Sequence, residues 1–478
     1  VSGFKLSQVP LPPRSLLMGV GLCAIGLFLA SSARHALLES NAWDLGIFDQ
    51  PLFLLSRGLP PISTIINVHI LGDHAAWIFY PLSLLYRLYP DVHWLFLVQA
   101  IALASAAIPL WYLARFAGIA SPLAGAIAAA YLLYPLIFNL NLFDFHPEVI
   151  ALPLLLTAVL AARQHHTVGF VVCIVVSLGC RDALALTIAA MGGWLWIFEK
   201  RRTCGAIAAV LGIVWFVIAT QVIIPHYQPA GVLGTSHFAE FGRSIPEILV
   251  NLVLRPDLLL KKLVTLANLG YLAMLLLPLG WGLSLRHLAP LVPAVPQLAI
   301  NLISTSTALK DLVHQYSLPI LPFLLLAVIA AVAAGDAWIQ RPRRILLWSL
   351  VGFLALAQYP LFWTRYLARL DTWQASRTAI AQITTQGAVL APAAIVPHLS
   401  HRPVIKVLAE ANIRLADYDY LLLNQRHPGR MSSPDTVKQL VEQVSQKADW
   451  TLQYQQDGVY LFRRSATAQF STPDDPDL

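Results

Sequence analysis

The chain has 478 residues, 57% of them hydrophobic and only 12% charged, with a mean hydropathy of +0.65. A soluble domain carries about 25% charged residues, so this composition excludes an ordinary cytosolic enzyme, a disordered chain and a secreted disulfide scaffold. It leaves a polytopic α-helical membrane protein with a minor soluble part. The formal charge of +7 fits Lys and Arg in cytoplasmic loops rather than a nucleic-acid partner. Cys23, Cys173, Cys180 and Cys204 lie in or beside apolar runs and form no Cys-x-x-Cys pair, which speaks against both a disulfide framework and a zinc site.

The first apolar run is Leu16 to Ala33, preceded by Lys5 and Arg14. Without a small-residue cleavage site it reads as an uncleaved anchor with its N-terminus inside. A polar first outer loop, 34–92, follows; within it 75–89 is apolar but too short to span, and reads as an interfacial or re-entrant helix. Further spans are expected at 93–114, 121–140, 149–163, 168–182, 184–198, 204–224, 264–284, 288–304, 314–334 and 345–363, about 11 in all. Arg181-Asp182 interrupts the long run 168–198, which reads as two short helices meeting at that polar pair. With alternating sides, the inside loops hold Arg115, Arg163, Lys200, Arg201, Arg202, Arg286, Arg341, Arg343 and Arg344, and among acids only Glu199. Outside fall Asp44, Asp49, Asp73, Asp91, Asp144, Glu148, Asp182, Glu240, Glu247, Asp257 and Asp311. That asymmetry follows the positive-inside rule and places the chain after about residue 364 outside, in a plasma (inner) membrane on the simplest reading.

Residues 1–365 therefore form the transmembrane part. From Asp371 the character changes. Gly387 to Ala391, Pro403 to Leu408 and Tyr418 to Leu423 read as strands. Asp435 to Lys447 has helical spacing, with Val437, Leu440, Val441 and Val444 on one face. A hairpin around Gln456-Asp457 would close a small outer C-terminal α/β domain, 371–465, leaving 466–478 as a disordered tail.

Several polar constellations gather on the outer side. Asp44 and Asp49 stand in Trp43-Asp44-Leu45-Gly46-Ile47-Phe48-Asp49-Gln50. One carboxylate can take a proton from an acceptor while the other orients it or binds a cation; from spacing alone, a solvated loop acid plus a helix N-cap is the plainer account. Asp73 and His74 precede the short helix, where Asp73 can cap it or join His69 and His74 around a metal. Asp144, His146 and Glu148 share the next outer turn, and Glu148 after Pro147 suits a helix start. Arg181 and Asp182 either pair with each other or present the arginine to a phosphate. His314-Gln315-Tyr316 opens a later span. No P-loop or dinucleotide fingerprint appears.

The order of these features resembles the GT-C superfamily of membrane glycosyltransferases. More narrowly, the chain is similar over residues 34 to 425 to the membrane family called domain of unknown function 2079. Trp43 to Gln50, Leu71-Gly72-Asp73-His74, Asn141 to Glu148, His314-Gln315-Tyr316-Ser317-Leu318-Pro319 and Pro397 to Pro403 carry that match. The resemblance implies a polyprenyl-phosphate sugar donor, an acceptor on the extracytoplasmic face, and membrane lipids as surroundings. It puts Asp44 in the place of the first member of an acidic catalytic pair. Its neighbour is Leu45, so the second carboxylate would come from Asp49 or elsewhere. Arg181 takes the place of the donor-phosphate ligand. Asp182, Asp73, His74, His146, Glu148, His314 and Tyr316 complete the expected binding set, with a divalent cation as an optional cofactor. Two other classes fit the composition: a lipid or small-anion transporter or flippase, which needs a polar path through the whole membrane, and a non-catalytic envelope assembly protein. Polar groups gathered on one side favour the transferase.

Overall fold

A computed structural model describes residues 11–231, 234–409 and 413–465 of the protein; the tail 466–478 lies outside them. The chain forms two compact units. Among the described residues, the first comprises 11–31, Leu71–Phe79 and 93–359; the second comprises Ser32–Ile70, Tyr80–Val92 and 360–465.

The first unit is helical. Among the described residues five helices are long and apolar enough to cross a membrane: Arg14–Ala36, His93–Phe116, Ser121–Asn141, Arg202–Tyr227 and Gln315–Ala334. Two bent pairs, Pro256–Leu263 with Leu266–Leu279 and Pro342–Leu356 with Tyr359–Leu367, bring the number to seven if each counts as one span. The sequence expectation of about 11 treated shorter apolar runs as complete crossings. Thr167–Leu178 has only 12 residues, which at 1.5 Å per residue reaches about 18 Å of a core about 30 Å thick. The run 168–198 divides into Thr167–Leu178 and Leu184–Ile197, broken at the expected polar pair. Only 17% of the Arg14–Ala36 window and 28% of the Arg202–Tyr227 window are buried within the protein. Their outward faces carry Leu17, Met18, Leu22, Val210, Ile213 and Val217, an apolar surface that lipid solvates.

Small residues set the close packing. Leu184–Ile197 lies against Arg202–Ile218 along a seam of Gly192, Gly205 and Gly212. A Cβ on Gly212 would stand 2.6 Å from the Ala185 carbonyl oxygen, and one on Gly205 would stand 2.8 Å from that of Gly192. Positions 205 and 212 are two turns apart and so face the same way; backbone-to-backbone approach of this kind is how helices gain contact in lipid. At one end of this pair Arg163 grips Glu199 with two hydrogen bonds, 3.0 and 2.8 Å.

The second unit contains a two-stranded ribbon, β1 (Ile62–Ser63) and β2 (Val68–His69), and a five-stranded sheet. The sheet strands are β3 (Val389–Ala391), β4 (Ile405–Val407), β5 (Tyr420–Asn424), β6 (Trp450–Gln456) and β7 (Val459–Arg464), in the order β4-β3-β5-β7-β6. β3 runs parallel to β4 and β5, while β7 is antiparallel to β5 and β6. The strands' period of two sorts side chains onto two faces. Val389, Ala391, Tyr420, Leu422 and Leu461 meet Ala375 and Ala379 of the helix Leu370–Ala381. Leu390, Leu421, Leu423 and Phe462 meet Val437, Leu440 and Val444 of the helix Pro434–Ser445. Between β6 and β7, Asp457 and Gly458 both take positive φ, 50° and 79°, the conformation of a tight hairpin turn with the Asp-Gly sequence that favours it.

Candidate functional site

The break at 179–183 is the structural centre of the candidate site. Gly179 lacks the side chain that would collide with the Trp77 indole. Its carbonyl accepts from the Ile78 N–H at 3.0 Å, and the Asp182 N–H donates to the His74 carbonyl at 3.1 Å. These contacts lay the segment 74–78 against the turn and fix both Arg181 and Asp182. The side chains do not form the internal pair that the sequence allowed. Adjacent residues in a turn diverge, and each finds another partner: Arg181 bonds to Glu148, and Asp182 Oδ1 lies 3.2 Å from His74 Nδ1. His74 Nε2 is 3.6 Å from Asp73. Burial and nearby Arg181 oppose a charge on His74, but Asp73 and Asp182 outweigh them and raise its pKa.

Glu148 is the first residue of the helix Glu148–Arg163 and follows Pro147, a position that favours a carboxylate near the helix's positive end. The Arg181 guanidinium also lies 5.2 Å from the centre of the Tyr316 ring, within reach of a cation–π contact. Tyr316 is itself held in place: Asn301 Nδ2 donates to its carbonyl at 3.1 Å and to the Tyr271 hydroxyl at 2.9 Å. Gln297 in turn donates to Asn301 at 2.8 Å.

Arg181, Glu148, Asp182, His74, Gln315 and Tyr316 are among the polar residues lining a cavity of about 400 Å³, with Thr235, His237 and Gln297. Leu184, Leu186, Phe216, Ile248, Leu252 and Ile300 are among its apolar walls. Among the described residues Arg181 makes one side-chain hydrogen bond, to Glu148; a guanidinium has five N–H donors, so the others remain for a ligand. A fixed arginine in an apolar-walled cavity is a place for an anion carrying a hydrocarbon part.

The expected residues of the neighbouring turn stand one step back. Gln99 in the helix His93–Ser105 ties the turn down, donating to the Asp144 carbonyl at 3.0 Å and accepting from the His146 N–H at 3.1 Å. His146 stacks on Phe143, which also approaches His314 edge-on at 4.2 Å between centroids. Burial pushes the His146 pKa down to about 4, so the ring is neutral at physiological pH. His314 Nδ1 is bonded to Asp311 at 2.7 Å. All eight residues of the expected binding set thus belong to the first unit.

Asp44 and Asp49 belong to the second. Asp44 is half-buried in the π-helical turn Ala42–Gly46. Asp49 is 0% exposed. Its carboxylate accepts from the Tyr86 hydroxyl at 2.5 Å and from the Ser400 hydroxyl, and lies 3.1 Å from His401 Nε2. Burial alone would raise the Asp49 pKa; the His401 ring and the two hydroxyls outweigh it and hold the carboxyl below its usual range. A carboxylate so enclosed ties segments together and is not presented to a substrate. No group of three or more His, Cys, Asp or Glu among the described residues is arranged to hold a metal ion; His74 spends its nitrogens on Asp73 and Asp182.

Sequence reasoning passed over Gln99, Gln297 and Asn301, amides that position or line the site. Their signal was available: each is an uncharged polar side chain in or at the edge of an apolar run, where an amide needs a specific partner.

A family model described as "Predicted membrane protein (DUF2079)" matches residues 34–461. No curated protein matches the chain. Among solved structures, the chain is similar to ArnT from Cupriavidus metallidurans bound to undecaprenyl phosphate, at 11% identity and a TM-score of 0.44, over 95% of this chain and 98% of that one. The apo state of the same protein is similar at 13% identity and a TM-score of 0.41, over 93% of this chain and 98% of that one.

Proposed function

This chain belongs to the DUF2079 family of integral membrane proteins, and we propose that it transfers a sugar from a polyprenyl-phosphate donor to an acceptor on the extracytoplasmic face. The observation that carries the reading is Arg181, held in a cavity whose walls are mostly apolar. A polyprenyl-phosphate sugar has an anionic linkage between a hydrocarbon chain and a polar ring. The guanidinium supplies a charge that cannot be titrated away and a planar fork suited to phosphate. Glu148 neutralises that charge before the donor arrives, which keeps a lone buried cation from destabilising the empty site. Arriving phosphate takes up the guanidinium's remaining donors. Leu184, Phe216 and Ile248 offer the hydrocarbon portion a surface it prefers to water.

The test is donor binding by purified full-length protein in lipid nanodiscs, read by native mass spectrometry against a panel of polyprenyl-phosphate sugars. Arg181→Ala should weaken binding by about 10- to 100-fold, the loss of one or two charge-assisted hydrogen bonds. The double variant Arg181→Met/Glu148→Gln removes the arginine without leaving an unpaired buried carboxylate, and should show the same loss in well-folded protein. Binding that survives both variants, or no binding across the panel, would sink the reading and move the weight to transport or to a non-catalytic assembly role.

A further inference from the structure

Around Arg181 the obvious proton acceptors are already engaged. Glu148 is bonded to Arg181. His74 has a carboxylate at each ring nitrogen, Asp182 at 3.2 Å and Asp73 at 3.6 Å. His146 is only 4% exposed. His314 differs from all of them. Asp311 Oδ2 accepts from its Nδ1 at 2.7 Å, and Asp311 Oδ1 accepts from the Val313 and His314 N–H groups at 2.9 and 3.0 Å. The backbone thus fixes the carboxylate, and the carboxylate fixes the ring. A carboxylate only accepts, so in the neutral imidazole the proton sits on Nδ1 and the lone pair on Nε2. No described residue bonds to Nε2, at the far end of the ring, and the side chain is 26% exposed.

Tyr316 links this dyad to the arginine. Its ring is 6.4 Å from the His314 ring and 5.2 Å from the Arg181 guanidinium. The imidazole and the guanidinium are therefore no further apart than those two distances laid end to end. The path from a guanidinium carbon through a phosphate, the anomeric carbon of its sugar and an attacking oxygen to a base nitrogen is about 12 Å at full stretch, with a hydrogen bond at each end. The spacing admits a sugar phosphate and an incoming hydroxyl between the two side chains. Gln315 and Tyr316, next in the chain, line the cavity, and Phe143 packs edge-on against the imidazole and limits its rotation. His237 lines the cavity as well, but among the described residues no carboxylate orients it.

We propose that His314, oriented by Asp311, is the general base that takes the proton of the acceptor hydroxyl. This rests on the reading of Arg181 as the phosphate ligand. The acceptor's O–H proton moves to Nε2 as its oxygen forms a bond to the anomeric carbon. The bond from that carbon to the phosphate oxygen breaks, and its electron pair leaves with the polyprenyl phosphate, whose charge Arg181 faces. The Nδ1 proton stays where it is, and Asp311 stabilises the imidazolium that results. The proton then passes from Nε2 to water, which restores the base. Asp311 is a positioning residue: it acts on the substrate only through the ring it holds.

The probe is undecaprenyl phosphate carrying a neutral hexose, given to full-length protein in nanodiscs with water as the acceptor and free hexose as the readout. His314→Gln should slow hexose release by about 100- to 10,000-fold, the usual contribution of a general base, with donor affinity unchanged. Asp311→Asn keeps an acceptor for both backbone N–H groups but no longer dictates the tautomer. It should slow release by a smaller factor, again at unchanged affinity; a merely structural pair would lose affinity and melting temperature together. Diethyl pyrocarbonate, which acylates open imidazole nitrogens, gives a reading that needs no turnover. His314 should be labelled in the free protein, and the hexose donor should protect it more than undecaprenyl phosphate alone. Release as fast as wild type in His314→Gln, or labelling that the bound donor leaves unchanged, overturns the assignment; so does a loss of release in His237→Gln that His314→Gln does not share. Where wild type releases no hexose, the labelling decides. If both lipid phosphates bind and His314 fails these tests, the phosphate reading stands without it. If neither binds, both fall.

Discussion

Asp49 and Glu148 are both buried carboxylates in the first turn of a helix, and they are finished differently. Asp49 takes the Tyr86 and Ser400 hydroxyls and the His401 ring, which satisfies both oxygens. Glu148 gives one oxygen to Arg181, and no described residue donates to the other. A closed carboxylate is an internal tie, because both of its oxygens are already partnered by the chain. A half-open one carries a buried acceptor unmatched among the described residues, a cost that the closed one does not have. Acidity and burial alone would have ranked the two together.

The contrast breaks most visibly on removing each acid. Asp49→Ala strands two hydroxyls and an imidazole and should destabilise the protein by about 3–5 kcal/mol, the cost of leaving buried polar partners unmatched. Glu148→Gln keeps an acceptor for Arg181 and should cost about 1–3 kcal/mol. Denaturant unfolding of the purified variants, with limited proteolysis to follow the second unit, measures both. If Asp49→Ala unfolds no more readily than Glu148→Gln, then the closed arrangement around Asp49 contributes nothing and the distinction fails.

A second way to sharpen it leaves both acids in place. Arg181 stands at the entrance to the helix Leu184–Ile197, and that helix is seated on the glycine seam with Arg202–Ile218. Gly212→Val would push its side chain into the Ala185 carbonyl, where there is no room to yield. We expect a loss of about 1–3 kcal/mol, typical of overpacking, together with weaker binding of polyprenyl-phosphate ligands. Unchanged binding in this variant would mean that the seam does not hold the arginine in position.

The sequence made the membrane class legible because apolar runs and a scarcity of charge have one physical solution. It also made Arg181 and Asp182 conspicuous, since an ionisable pair in an apolar run needs a reason. Their partners were not legible. Glu148 is 33 positions from Arg181 and His74 is 108 from Asp182; no local periodicity encodes such a meeting. Span number was blurred for a related reason. Thr167–Leu178 and Leu184–Ile197 are as apolar as full crossings, but hydropathy does not show where a turn cuts a run short. The expected strand 387–391 shrinks to Val389–Ala391 and the expected 418–423 shifts to Tyr420–Asn424, errors of the usual size where hydrogen bonding, not side-chain pattern, sets an element's ends. Tyr86, Ser400 and His401 lie far from Asp49 in the chain and carry no shared pattern; only the fold reveals that the acid is enclosed.

The smallest expected effect is a pH dependence confined to the closed site. Burial disfavours a charge on His401, but Asp49, its hydrogen bond and nearby Asp91 outweigh burial and the repulsion of Arg402, so the imidazole pKa is raised. A raised histidine contributes stability that is full below its unfolded pKa of about 6.5 and is lost as pH rises through the folded value. Asp49 has the opposite sign: its depressed pKa contributes above the unfolded value of about 3.9, and that contribution goes as pH falls through the folded one. Together they place the pair's greatest contribution between those two unfolded values. Melting temperature measured from about pH 6 to about pH 8 should therefore carry a downward component in wild type that His401→Gln lacks. Glutamine can still donate to Asp49 but does not titrate, so the tie persists while its alkaline limb disappears. An identical pH profile in the two proteins would show that His401 does not change its protonation on folding, and that its tie to Asp49 carries no charge.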